Sequence, residues 1–138
     1  MSLLARSAAT LRLRGDALIP DEVSLLLGPS PTSAEKKGQE VIGQNGKVRI
    51  ARTGVWQLDA RHRKPEDLEA QVFELLDQLT PDLEIWDELG RRFTLDLFCG
   101  IFMASYNNGL LLSPNALLAL GQRSIRLDLD MYEHGGFL

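Results

Sequence analysis

Three segments of the chain alternate strictly between apolar and polar side chains, and that period of two constrains the fold more than any other feature. In residues 9–14, ATLRLR, Leu11 and Leu13 fall on one side and Thr10, Arg12 and Arg14 on the other. In residues 92–103, Phe93, Leu95, Leu97, Cys99 and Ile101 share a side, opposite Thr94, Asp96, Phe98 and Phe102. Near the end, Ile125, Leu127, Leu129 and Met131 alternate with Arg126, Asp128, Asp130 and Tyr132. Successive side chains of a strand point to opposite faces, so each segment reads as a strand with one buried and one charged face. Residues 54–59 add a shorter strand, with Trp56 and Leu58 on one side and Val55 and Gln57 on the other. A sheet of such strands needs cover on its apolar face alone, which selects an α+β architecture.

Helix signals supply that cover. Pro20-Asp21-Glu22 opens a helix through Leu27, with proline in the first turn and acids at the positive end of the dipole, and Gly28-Pro29 closes it. From Pro65, the residues Leu68, Val72, Leu75, Leu76 and Leu79 recur at helical spacing. Thr80-Pro81-Asp82 restarts the pattern and Leu83, Trp86 and Leu89 carry it to Gly90, giving a helical insert over 65–90 in two pieces. Ser113-Pro114 caps a last helix, ended by Gly121, with Leu117, Leu118 and Leu120 expected to face inward. Residues 30–52, with Gly38, Gly43 and Gly46, read as a long loop with a hairpin turn at Asn45-Gly46, and Asn107-Asn108-Gly109 reads as another turn.

These elements fall into two strand–helix–strand halves. The fold expected from them is a ferredoxin-like split βαβ pair: a four-stranded, largely antiparallel sheet with the helical insert between the halves. With 138 residues, 44% of them apolar, the chain has material for one core, so 1–138 reads as a single domain.

The order of motifs is itself distinctive. A strand ending at Gly15 leads to the Pro20-Asp21-Glu22 helix, then Leu27-Gly28, Pro31, Lys37-Gly38 and Gly54-x-Trp56. An amphipathic helix, the Ser113-Pro114 helix and a closing strand ending in Tyr132 complete it. This order resembles the bacterial family called domain of unknown function 4279, from about Leu11 to Tyr132. The resemblance implies a small bacterial α+β domain and no mechanism, because that family has no assigned activity.

The residue inventory argues against several chemistries. Nucleophilic catalysis needs a nucleophile beside a base, and the only imidazoles are His62, inside Arg61-His62-Arg63-Lys64, and His134, in a Gly-rich tail. Cys99, the single cysteine, falls on the apolar side of its strand and reads as a small buried hydrophobe. One Cys and two distant His do not make a zinc site, and Gly43-Gln44-Asn45-Gly46-Lys47 leads into the strand-like Val48-Arg49-Ile50 instead of a P-loop helix. No catalytic residue, metal or cofactor is therefore expected. A lone cysteine, an N-terminus without the long apolar core of a signal peptide, and no apolar run near the roughly 18 residues of a membrane span point to the cytoplasm.

Charge is more informative. The formal net charge of −4 argues against nucleic acid and membrane surfaces as partners. That total is an average over unlike parts: residues 65–90 hold nine acids and no Lys or Arg, whereas 47–64 hold six cations against Asp59. The candidate binding residues are therefore Lys37, Arg52, Trp56, Arg61 and Arg63 along the basic stretch. Phe98 joins them because it falls on the charged sheet face, where an aromatic ring is poorly hydrated. On that face Arg12 and Arg14 are expected to pair with Asp128 and Asp130. The function these features favour is a non-catalytic protein-interaction module, of inhibitor or immunity type, meeting a protein partner or a second copy through the open sheet face. The alternatives are a small anionic ligand or nucleotide held by the 47–64 segment, and an enzyme using Asp96 and Asp128 as acid and base.

Overall fold

In the computed structural model, which describes residues 5–104 and 109–133, four helices accompany a five-stranded sheet and a separate two-stranded one. In chain order they are β1 (Arg6–Gly15), α1 (Pro20–Leu27), β2 (Ser33–Glu35), β3 (Glu40–Ile42), β4 (Val48–Ile50), β5 (Gly54–Asp59), α2 (Leu68–Leu76), α3 (Leu83–Arg92), β6 (Thr94–Phe102), α4 (Pro114–Gln122) and β7 (Arg126–Tyr132). The large sheet runs β2-β5-β1-β6-β7, antiparallel throughout except for the β6–β7 pair, and β3–β4 form the small one.

The α+β class holds, but the pairing differs from the expected four-stranded split βαβ arrangement. Such a fold interleaves its two units, placing strands of one between strands of the other. Here β1 bonds directly to β5 and β6 directly to β7, so the halves sit side by side and share only the β1–β6 border. The reason lies in the connections. Between α1 and β5 the chain has room to reverse, so β5 returns antiparallel to β1 and β2 is added outside it, whereas α4 is a short crossover that delivers β7 parallel to β6. The 30–52 segment is accordingly not all loop: it contains β2 and the β3–β4 hairpin, closed through Gly46 at φ 76°.

The core lies between the sheet and the helices. Leu11 and Leu13 of β1, Trp56 and Leu58 of β5, and Leu95, Leu97, Cys99 and Ile101 of β6 are all buried. Leu68, Val72, Leu75 and Leu76 of α2 and Trp86 and Leu89 of α3 are buried with them, as the helical spacing predicts. Asp67 and Asp82 cap these two helices through the backbone N–H groups of Ala70 and Glu84. The second helix of the insert runs past Gly90 to Arg92. For α4 the inward stripe is Ala116 and Leu120, one helical turn apart, and Leu117 and Leu118, off that stripe, face solvent.

Two polar ties fix the helices on the sheet. Gln71 of α2, fully buried, accepts from the Ser7 hydroxyl at 2.6 Å and donates to the carbonyls of Ser7 and Arg61 at 2.9 and 2.8 Å. Trp56 Nε1 donates to Ser24 Oγ of α1 at 3.0 Å. The second tie needs a close approach at Gly54, where a Cβ would stand 2.7 Å from the Leu18 carbonyl oxygen and 2.8 Å from that of Gly15. This accounts for glycine two residues ahead of Trp56. Gly54→Ala is expected to destabilise the fold by about 1–3 kcal/mol, read from the midpoint of urea unfolding; an unchanged midpoint refutes the close-approach argument.

Candidate functional site

The basic stretch does not form one patch. Strand β5 runs through its middle, and six extended residues separate its two ends by about 20 Å. Trp56, between them, points inward and is fully buried, because the parity of β5 that faces Val55 and Gln57 outward turns Trp56 to the helices. Lys37 lies near the first end, paired with Asp16 at 3.0 Å. That pairing, with the Thr53 hydrogen bond, holds the Asp16 carboxyl below its ordinary value.

At the far end Arg61 and Arg63 meet at Glu74 of α2. The Arg61 backbone N–H donates to Glu74 Oε2 at 2.7 Å and Arg63 Nη2 to Oε1 at 2.9 Å. Burial alone would raise the Glu74 carboxyl, but these contacts outweigh it and leave it below its ordinary 4.5. Beside Arg63 is an open cleft of about 510 Å³ lined by Lys64, Pro65, Glu66, Asp67, Gly109 and Leu111. The Asn107-Asn108 part of the expected turn lies outside the described residues.

Near the first end, Arg52 lines a wider cleft of about 730 Å³ with Glu35, Arg49, Ile50, Ala51, Thr53 and Val55. Arg49 donates to Glu35 through Nη1 and Nη2, the two terminal guanidinium nitrogens. Arg52, Lys36 and Lys47 are exposed and make no ion pair among the described residues. Above the cleft stands the β3–β4 ribbon, outside the main ladder, its own pairing carried one step further by Gly38 N–H to Ala51 O and Ala51 N–H to Gln39 O, each at 2.9 Å. Its register, Glu40 opposite Ile50 and Ile42 opposite Val48, places three aliphatic side chains on one face. Ile42, Val48 and Ile50 are 74%, 57% and 55% exposed. Sequence reasoning selected Arg52 but not these aliphatics. The signal was present in the turn at Asn45-Gly46 flanked by short apolar runs.

The open sheet face is polar and internally paired. Arg12 meets Asp96, directly opposite on β6, with Nε at 2.9 Å and Nη2 at 2.7 Å, and Arg14 adds a contact at 3.5 Å. Asp96 is completely buried by this arrangement, whose hydrogen bond also raises the Arg12 guanidinium. The expected pairing of the arginines with Asp128 and Asp130 is realised only between Arg12 and Asp128, at 3.6 Å; β6 stands between β1 and β7, so its own Asp96 takes first place. Asp130 instead accepts from the Tyr132 hydroxyl at 2.7 Å. Phe98 lies under the Arg12 guanidinium, 4.4 Å from its ring centre, while Phe102 stacks on Tyr132 at 4.8 Å and carries Arg6 at 3.9 Å. Both rings, which the sequence left facing water, are covered by neighbouring side chains.

Asp96 and Asp128, the carboxylates of the enzymatic alternative, thus share Arg12 as counter-charge. Cys99 is fully buried, and burial with the nearby Asp128 and Asp96 charges pushes its thiol up to about 12. Among the described residues no group of three or more His, Cys, Asp or Glu is placed to hold a metal ion, and no helix is long and apolar enough to cross a membrane.

Cys99 is expected to resist a thiol reagent at pH 8 in the folded protein and to react fully in denaturant; rapid labelling of the native protein contradicts the burial. Glu74, lower when folded, adds stability that is complete above 4.5 and lost as pH falls through the folded value. Glu74→Gln should therefore be less stable near neutrality and show a shallower loss toward acid in unfolding measured against pH. Parallel curves for the two proteins contradict the assigned contacts.

No curated protein and no solved structure matches the chain. Residues 5–134, nearly its whole length, match the family described as a domain of unknown function (DUF4279), and the chain belongs to that family.

Proposed function

We propose that the domain is a non-catalytic protein-interaction module whose contact surface is the β3–β4 ribbon with the arginine-lined cleft beneath it. The observation that carries this reading is the aliphatic face of the ribbon. A two-stranded ribbon has no core of its own, and three aliphatic side chains more than half exposed on one face are costly unless a partner covers them. The partner's chemistry follows from the rim. Lys36, Lys47 and Arg52 flank the two ribbon strands in sequence, exposed and without an ion pair among the described residues, while Glu40 shares the aliphatic face, so the complementary segment carries apolar side chains with Asp or Glu set toward those cations. An inhibitor or immunity protein of the bacterial cytoplasm, blocking an acidic surface, is the form such a module takes.

The open sheet face supports this role less well, since Arg12, Phe98, Phe102 and Tyr132 already satisfy one another. A photo-crosslinking residue in place of Val48 should give a discrete protein adduct in cells. The same residue in place of Leu25, equally free on α1 at 87% exposure, should not. Adding Arg52→Glu and Lys47→Glu should reduce the Val48 adduct severalfold. Equal adducts at both positions, or indifference to charge reversal, overturn the reading. A small anionic ligand in the cleft is the second reading, favoured by Arg52 on its wall; ATP titrated into the protein should then shift backbone amide resonances of residues 49–55, and Arg52→Ala should abolish the shifts.

A further inference from the structure

At the opposite edge of the sheet, β7 is a seven-residue strand that, among the described residues, pairs with β6 alone. Tyr132 O accepts from Met103 N–H at 3.0 Å, so the even-numbered residues turn their backbone groups toward β6 and Leu127, Leu129 and Met131 turn theirs outward. None of the described residues bonds to those outward groups. The apolar parity that was expected to lie under the helices is also uncovered here: Leu129 is 40% and Met131 52% exposed, although their partners across the ladder, Cys99 and Ile101, are fully buried. A long, regular edge with outward backbone groups beside exposed aliphatics is a template for strand addition.

We infer that this edge pairs with β7 of a second copy of the chain, antiparallel and about a two-fold axis at Asp128. Charge selects both the occupant and the register. With the axis at Asp128, Arg126 stands opposite Asp130 of the partner subunit, and the reciprocal pair forms by symmetry. Leu127 then bonds through its backbone to Leu129 of the partner subunit, which joins the aliphatics of the two chains into one strip on the helix side. Moving the axis to Leu129 would set Asp128 against Asp130 of the partner subunit twice. Moving it to Leu127 would keep a favourable Arg126 pair but shorten the paired length. The two Asp128 carboxylates at the axis each lie 3.6 Å from their own Arg12, which offsets their mutual repulsion. The result is a continuous ten-stranded sheet with the polar faces of both chains on one side.

The test is a charge swap read by sedimentation equilibrium over a concentration series. The wild-type chain should reach twice its 15.4 kDa mass. Arg126→Asp and Asp130→Arg should each weaken association by about tenfold or more, since each sets two like-charged pairs across the axis. The double variant should restore it to within about threefold of wild type. Should either single variant fail to fold, Met131→Lys, at an exposed position opposite the partner's Ile125, should weaken association instead. A chain that stays monomeric at every concentration, a dimer indifferent to the single changes, or a double variant no tighter than the singles overturns the inference. Because the ribbon is untouched by these changes, the Val48 crosslink should survive them.

Discussion

The structure depends on β1 being bonded on both sides. This ten-residue strand pairs with β5 along one edge and with β6 along the other, and its alternation decides the environment of everything beside it. Leu11 and Leu13 set the level of the core, against which α2 and the inward residues of β5 and β6 pack. Arg12 and Arg14, one residue out of phase, set the opposite face. A slip of one residue would exchange these roles and bury two guanidinium groups among leucines, so the register is strongly specified.

That same strand explains how a carboxylate is tolerated at zero exposure. Asp96 is directly opposite Arg12 and receives two charge-assisted hydrogen bonds from it, with Arg14 behind. Removing Arg12 would leave the fully buried Asp96 with only the longer Arg14 contact, whereas removing Asp96 would leave the partly exposed Arg12 with Asp128, so the larger cost lies in losing the arginine. The Arg12 plane also covers Phe98. One side chain therefore satisfies a carboxylate and shields a ring, and the open face is left as a self-paired layer with little unmet chemistry. The unmet chemistry lies at the two edges of the sheet instead. The ribbon with its aliphatics and free cations adjoins β2 and β5, while β7 ends the opposite side, about 20 Å away across five strands. A dimer through β7 would leave both ribbons at its outer ends.

Much of the fold was legible along the chain because its signals are local. Period-two alternation located β1, β6 and β7, the 3.6-residue stripe from Leu68 to Leu89 located α2 and α3, and Pro with acids located the start of α1. The illegible parts depend on residues far apart in sequence. Direction of pairing is one: the same strand–helix–strand rhythm produced an antiparallel return to β5 and a parallel one to β7, because the connection lengths differ. The inward side of α4 is another. Leucine at 117 and 118 outweighs alanine at 116 on any hydropathy scale, but how α4 is turned on the fold puts 116 and 120 inside, and that turn is set by packing.

The candidate site divides in the same way. From the sequence alone came the excess of cations over 47–64 and the membership of Cys99 in an apolar strand face; both follow from residue type and spacing, which do not change on folding. Only the tertiary structure decided that those cations fall into two groups at either end of β5, that Trp56 serves the core, that Arg63 pairs with Glu74 whereas Arg61 meets it through its backbone N–H and keeps an exposed side chain, and that Arg52, beside exposed aliphatics, makes no ion pair among the described residues. The physical reason is that a side chain's availability is set by what lies opposite it across a strand or under a helix. Those neighbours, Asp96 eighty-four residues from Arg12 being the extreme case, are brought together by packing and not by sequence distance.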